Sequence, residues 1–540
     1  MPHFNNTKKT KFSEDAFIRA KQVVFEVFTI LRGIDETQSI SALAYLPGYS
    51  ALIAPSIAVA LLKNKKVWLL LEFIKGIIYS LVKPLPLQSA PIQLLVYPRE
   101  NILNSPSLLI VLARPYMTRE FIPVISKLLD DISSSNAQQS ILFVSYYPES
   151  IQYIVNLISS SLFFEVYFIS NFTTHKLIVS QLPTKNHATL LKSFAKLLIE
   201  SDKFSLTSRL ISLNCILKTR LLSYNSFFQF DNDNRLRSVL GKENFYNDLD
   251  IALLLDPADF KSLFYGLALR KHKNTTLVSL QFGTYGTEAL EWSSLALNFH
   301  LVWSRHFMCL FERLCAGRSE NANILSYKDC RFEFSSARPK TVSETLDKKP
   351  TLLVIGSMDP WPRDRLLSLE RHIKKCANNL ANLLRKSEDY INISVILRPH
   401  PLNQELLNRI PSAICSTNLI QSSNVLSEDL QRADFVIFLY PSTVLVHSLS
   451  RNIPSAILDM EYLPKWSTSW VPSNVPSFAS DNLFDFIKFI SQPFTNESYG
   501  PPSIGNKAIS SNDFLGFDSP ELYEVLSSIG SARKLKWSPQ

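Results

Sequence analysis

Between residues 107 and 170, three short apolar runs are separated by two stretches of helical pattern. The runs are SLLIVLAR (107–114), SILFVSY (140–146) and FEVYFIS (164–170); MTREFIPVISKLLDDI (117–132) and SIQYIVNLISSSL (150–162) lie between them. Apolar runs this short read as strands buried on both faces, and helices between them imply parallel pairing. This alternation constrains the fold most, because a parallel neighbour needs a crossover packed on a sheet face. It continues through LDIALLLD (249–256), a helix opening at Pro257 (257–272) and the strand TTLVSLQFG (275–283). TEALEWSSLALNFHLVWSRHFMCLFERL (287–314) reads as helix, short strand, helix. The pattern stops in the polar stretch from Arg331 to Lys349 and then restarts. TLLVIGS (351–357) is a strand, RLLSLERHIKKCANNLANLLRKS (365–387) a helix, and INISVILR (391–398) a strand. DLQRADFVIFLYPSTVLVHSLSRNIPSAILDM (429–460) gives helix, strand, helix, strand. Two successive α/β sheets joined by a linker predict two doubly wound lobes facing a cleft.

A chain of 540 residues is too long for one core, and 46% hydrophobic with 19% charged residues describes a globular protein. The expected parts are a helical, partly apolar N-terminal segment (1–95) ending in KPLPLQSAP, a first lobe (96–330), a linker (331–349), a second lobe (350–495), and a loosely held tail (496–540) rich in Ser, Pro and Gly. A net charge of +9 suits an anionic partner: nucleic acid, a lipid surface or a phosphorylated substrate. No arginine-rich run or zinc-finger spacing supports nucleic acid, which is not expected. The six cysteines form no CxxC pair, which argues against a zinc site or a disulfide framework and for a reducing cytoplasm. The N-terminus lacks the apolar core of a signal peptide. Residues 51–62 (ALIAPSIAVALL), followed by Lys63, Lys65 and Lys66, and residues 67–82 (VWLLLEFIKGIIYSLV) are apolar but too short or too charged to span a bilayer. They read as buried core helices or as segments in the membrane interface, where contact would be peripheral.

Glycine is scarce, 13 residues, and neither GxGxxG nor GxxxxGK[ST] occurs. A bound phosphate must therefore be held by a helix N-terminus and cationic side chains. Ligands of open parallel sheets sit beyond the carboxyl ends of the strands. In the second lobe three such ends are chemically marked: Gly356-Ser357-Met358-Asp359, Arg398-Pro399-His400-Pro401, and Pro441-Ser442-Thr443. The last runs straight into a helix, so Ser442 or Thr443 can cap it while its free N–H groups and two hydroxyls receive an anion. With Arg398 and His400 this makes a candidate phosphate site. No His/Asp/Glu cluster has metal spacing, and no metal is expected.

RPHP followed by DFVIFLYPST resembles the C-terminal lobe of GT-B glycosyltransferases of bacterial surface polysaccharides. The nearest patterns are the CMP-sugar enzymes (sialyl-, polysialyl- and Kdo transferases) and the CDP-glycerol polymerases. The resemblance covers about 350–460 and, more weakly, 275–305. It implies an α/β fold of two Rossmann-like lobes, with His400-Pro401 and Ser442-Thr443 on the donor phosphate; Gly356, Ser357 and Arg398, from the marked strand ends, complete the candidate donor site. Gln281-Phe282-Gly283 matches a Gln-His-Gly turn with Phe for His, and LVWS (301–304) a strand-end VWG. The family's acidic motif carrying the base is absent, and His447 stands where many such enzymes carry a ribose-holding acid. The implied activity is inverting, metal-independent transfer of a sialic-acid or Kdo type sugar from a CMP-linked donor to a surface glycan or lipid-linked acceptor, at the inner face of the plasma membrane. An inverting enzyme needs a base. Asp256, ending LDIALLLD, is the first candidate beside catalytic His400, with Asp259 and Glu288 next; capping the following helix is the equal alternative for Asp256. His300, Trp303 and His306 suit core packing or the acceptor side. A CDP-alditol phosphotransferase, a sugar-nucleotide epimerase and an inactive scaffold for envelope assembly remain open.

Overall fold

The computed structural model describes, isolated positions apart, residues 6–32, 93–97, 107–135, 141–145, 147–158, 166–170, 204–219, 249–259, most of 262–270, 275–284, most of 292–318, 322–332, 349–356, 369–387, 392–399, 419–463, 468–491 and 514–536. The first part contains α1 (Asn6–Arg32), β1 (Gln93–Tyr97), β2 (Leu108–Val111), α2 (Pro115–Ser134), β3 (Ile141–Ser145), α3 (Pro148–Ile158), β4 (Val166–Ser170), α4 (Leu206–Thr219), β5 (Ile251–Leu254), β6 (Thr276–Leu280), β7 (Phe299–Val302), α5 (Arg305–Cys315) and β8 (Asn323–Ser326). The second contains β9 (Thr351–Ile355), α6 (Leu369–Ser387), β10 (Ser394–Arg398), β11 (Leu419–Gln421), α7 (Leu426–Arg432), β12 (Phe435–Phe438), α8 (Thr443–Ser450), β13 (Ser455–Leu458), β14 (Ser477–Phe478) and α9 (Leu483–Ile490). Helix α10 (Leu522–Lys536) closes the described chain.

The strands form two sheets, ordered β1-β4-β3-β2-β5-β6-β7-β8 and β11-β10-β9-β12-β13-β14. Every pairing is parallel except β1 with β4. Counted from β9 the second sheet runs 3-2-1-4-5-6, the strand order of a doubly wound Rossmann sheet, and counted from β2 the first contains the same order with β8 and the antiparallel β1 added at its edges. The protein is thus an α/β molecule of two Rossmann-like lobes. Strands β2, β3, β5, β9 and β12 are buried along nearly their whole length, as all-apolar runs demand. Helix α2 shows the complementary pattern: Met117, Phe121, Val124, Ile125, Leu128, Leu129 and Ile132 make one buried stripe at 3–4 residue spacing.

The ligand crevice of such a sheet lies where the order reverses, between β2 and β5 in the first lobe and between β9 and β12 in the second. Arg114 and Asp256 sit just past the first pair of strand ends, and Gly356 and Ser442 past the second.

Residue 95 falls inside β1, whose pairing with β4 joins it to the first sheet. Helix α1 is helical as expected, but Val23, Val27, Phe28 and Leu31 are buried in the common core, Arg318 lies over the Phe28 ring at 4.7 Å, and Lys21 donates to the Arg313 carbonyl at 2.9 Å. The tail is not loosely held throughout: residues 514–536 pack on the first lobe, with Phe514, Leu515, Leu522, Val525, Leu526 and Ile529 buried. The apolar stretches 51–62 and 67–82 lie outside the described residues. Among the described residues, no helix is long and apolar enough to cross a membrane.

Candidate functional site

Four residues separate the end of β12 from the start of helix α8. Ser442 occupies its N-cap with extended backbone (φ −141°, ψ 171°), which the end of a strand supplies directly. Two other helices show what that position ordinarily does. Ser304 ahead of α5 accepts the Phe307 N–H, and Asn482 ahead of α9 accepts the Asp485 N–H. Ser442 makes no such bond; its Oγ is shielded from solvent and has no hydrogen-bond partner among the described residues. A buried hydroxyl left unpaired costs about 1–3 kcal/mol. The Leu445 N–H turns back to the Ser442 carbonyl at 2.8 Å, and helix geometry leaves the N–H groups of the first turn before it without intrahelical acceptors.

The first lobe meets this helix end. A Cβ on Gly283 would lie 3.6 Å from Thr443 Oγ1, its one neighbour within 4 Å among the described residues. Gln281, fully buried, holds that glycine in place. Its Nε2 donates to the Gly283 carbonyl at 2.9 Å and its Oε1 accepts the Trp303 N–H at 3.2 Å, while Trp303 Nε1 donates to the Gln281 carbonyl at 2.9 Å. The Gln281–Gly283 and Ser442–Thr443 motifs, 160 residues apart, are thus brought into contact. Phe282, standing where the resembling enzymes have His, packs on Trp292 with ring centroids 4.7 Å apart.

Gly356 follows β9 directly and donates its N–H to the Arg398 carbonyl at 2.8 Å, so Gly356, Arg398 and Ser442 share one sheet end. Ser357, His400, Pro401 and Glu288 lie outside the described residues. Arg398 has a prior commitment: its Nη1 donates to Asp429 Oδ2 at 2.6 Å and to the Asn424 carbonyl at 2.9 Å, and Asp429 is fully buried.

Asp256, expected as the base, is 0% exposed and accepts two hydrogen bonds from Arg114, at 3.0 Å from Nε and 2.8 Å from Nη2, plus the Asp259 N–H at 3.2 Å. Burial pushes its carboxyl up and the Arg114 charge pulls it part of the way back. Geometry makes Asp256 the anchor of Arg114, whose side chain remains 38% exposed. The carboxylate that reaches solvent at this strand end is Asp259, which accepts Tyr147 O–H at 3.1 Å and the Ser262 N–H and hydroxyl. Strand β6, beside β5, ends in Gln281, so these carboxylates stand one strand away from the inter-lobe contact.

Sequence reading missed Arg114 and Asp429, although one signal was present. LARP and ILRP place an Arg-Pro at the end of an apolar strand in each lobe, and each arginine finds a buried aspartate. His300 is core: its Nδ1 meets Ser279 Oγ at 2.7 Å, its ring lies between Trp292 and Phe311, and burial lowers its pKa to about 3. Trp303 is fully buried. His306 donates from Nε2 to the Trp470 carbonyl of the second lobe at 3.1 Å. Among the described residues no group of three His, Cys, Asp or Glu could hold a metal ion.

No protein-family profile matches the chain, and no curated protein matches it. Similar solved structures include the UDP-GlcNAc 2-epimerase of Methanocaldococcus jannaschii (TM-score 0.41, 13% identity, covering 78% of this chain and 99% of that one). A second is the UDP-GlcNAc 2-epimerase of Neisseria meningitidis bound to UDP-GlcNAc (0.39, 10%, 79% and 99%). A third is the glycosyltransferase SnogD of Streptomyces nogalater (0.38, 9%, 79% and 100%).

Proposed function

We propose that the chain binds a nucleotide-activated sugar between its lobes and acts as an inverting, metal-independent glycosyltransferase, with a CMP-linked sialic-acid or Kdo type sugar as donor and a surface glycan or lipid-linked saccharide as acceptor. One observation carries this reading: Ser442 Oγ, buried and unpartnered, at a helix N-terminus that opens at the switch point of a Rossmann sheet and faces Gly283. A donor phosphate supplies the acceptor oxygens that this hydroxyl, Thr443 and the first-turn N–H groups lack. The remaining nitrogens of Arg398 add positive charge at the same sheet end beside Gly356; in this reading His400, Ser357 and Pro401, next to them in the sequence, complete the donor site. A leaving nucleotide gains negative charge as the glycosidic bond breaks, so donors held there act mainly in the transition state. In this reading Asp259 is the carboxylate that takes the acceptor proton, and Asp256 keeps Arg114 in position. In this reading the chain works at the cytoplasmic face with peripheral lipid contact contributed by 51–62 and 67–82, and high salt or alkaline carbonate is expected to release it.

The burial of Asp256 favours one other reading, a scaffold that binds nucleotide without turnover. Thermal shift with CMP, CDP, UDP and GDP tests the common part. A nucleotide at a hundred times its Kd raises stability by about 2.7 kcal/mol, and Ser442→Ala with Thr443→Val removes most of that gain. If none of the four stabilises the protein, the nucleotide reading is wrong. Release of CMP from a CMP-sugar then separates enzyme from scaffold. His400→Ala is expected to lower kcat by roughly 10²-fold, as for loss of one preorganised donor.

A further inference from the structure

The turn Tyr327–Phe332, which follows the last strand of the first sheet, holds the most deeply buried ion pair among the described residues, Arg331 with Asp329, at 4% and 0% side-chain exposure. Arg331 Nε donates to both carboxylate oxygens (2.9 and 3.1 Å) and Nη2 to Oδ2 at 2.6 Å. Asp329 also accepts the Tyr327 O–H at 2.7 Å and the Arg331 backbone N–H at 3.0 Å. Burial alone would raise the Asp329 carboxyl, but the Arg331 charge and these hydrogen bonds outweigh it and hold it below its ordinary range. Taking both charges out of water is costly, and apolar residues filling the same volume are often as stable or more so. The best-attested return on such a pair is registry, and here its neighbours show what is registered.

The Arg331 guanidinium lies over the ring of Phe121 in α2, 4.5 Å from its centroid, and near Trp303 at 5.8 Å. The next residue, Phe332, packs on His447 of α8 with ring centroids 4.8 Å apart and planes tilted by 51°. One turn locked by an ion pair therefore supports two helices from different lobes. Helix α2 starts after Arg114 at the switch point of the first sheet, and α8 starts after Ser442 at that of the second. His447, one turn into α8, is consumed by this contact and buried.

We propose that Asp329 and Arg331 are positioning residues for the inter-lobe site: they fix the turn on which α2 and α8 rest, and so set the approach of Gly283 to Thr443. The ligand in this inference rests on the nucleotide reading above, but the geometry does not. The double variant Asp329→Leu/Arg331→Met removes the pair without leaving a lone charge. His447→Leu removes the second-lobe contact and leaves the pair intact. Thermal stability, radius of gyration by X-ray scattering and affinity for the panel nucleotides that bind the parent are measured for both. The double variant is expected to be as stable as the parent, to scatter with a larger radius, and to bind nucleotide roughly tenfold more weakly, the size of coupling carried through packed networks. His447→Leu is expected to shift radius and affinity in the same direction. Parent values of both quantities in both variants would reduce the pair to packing. If the double variant does not fold, His447→Leu decides by the same two readouts. If the parent binds none of the nucleotides, the nucleotide reading fails and the radius alone decides this one.

Discussion

Gly516 shows how far one position can be dictated by its neighbour. Its φ is +72°, and a Cβ there would stand 1.8 Å from the Trp303 carbonyl oxygen. Two penalties therefore coincide, left-handed backbone and hard overlap with main chain that Gln281 pins from the other side. Gly516→Ala is expected to destabilise the protein by at least about 1–3 kcal/mol, read from the urea midpoint. An unchanged midpoint would mean that the C-terminal segment does not seat on Trp303. The arginines that end β2 and β10 teach a related lesson. The Arg-Pro dipeptides are plain in the sequence, but Asp256 is 142 residues from Arg114 and Asp429 is 31 from Arg398. No local pattern announces such a partner, because strand order alone creates the juxtaposition. Arg398 gives its Nη1 to Asp429 and Asn424, so only its other nitrogens are left for a phosphate.

At the scale of elements, α10 belongs to the first lobe though it lies at the other end of the chain. Lys328 donates its backbone N–H to the Pro520 carbonyl at 2.8 Å and pairs with Glu521 at 3.2 Å, while Leu526 is 5% exposed. Leu526→Ala is expected to cost about 2–5 kcal/mol, measured by chemical denaturation, as for truncation of a core leucine. A loose tail would leave stability unchanged. Its sequence, LYEVLSSIGSARKLK, mixes small and polar residues with few leucines. That weak amphipathic signal hid it, because a helix docking at the end of the chain buries only a few side chains. The central strands were legible for the opposite reason: β2, β3, β5, β9 and β12 are buried and must be apolar throughout, whereas the edge strands β8 and β11 keep exposed residues and gave no such signal.

For the whole molecule, pH reports the histidines folded inside. Burial lowers His300 and His447 from an ordinary 6.5 to about 3, with Arg331 and Arg451 adding to the shift of His447. Burial also lowers His306. Between those values the unfolded chain binds protons that the native protein refuses, so stability is fully present above about pH 6.5 and falls as pH drops. Each of the two fully buried rings contributes a slope of about 1.4 kcal/mol per pH unit in that window. Below pH 4 protonation of Asp329, held low by Arg331, adds to the loss. Urea midpoints across pH 4–7 should show this slope, and His300→Gln should reduce it by one ring's share. A flat profile would mean that the rings are hydrated.

The sequence by itself determined the two α/β lobes, most strands and helices within a few residues, and the strand-end motifs. These follow from local rules: apolar runs of strand length, helical spacing between them, and Pro, Ser and Thr at junctions. Tertiary structure alone decided that Gly283 meets Thr443, that Ser442 leaves its hydroxyl unpaired, that Asp256 is spent on Arg114, and that the last helix returns to the first lobe. Each is a contact between residues far apart in the chain, and long-range contacts are set by strand order and lobe packing rather than by anything the neighbouring residues encode.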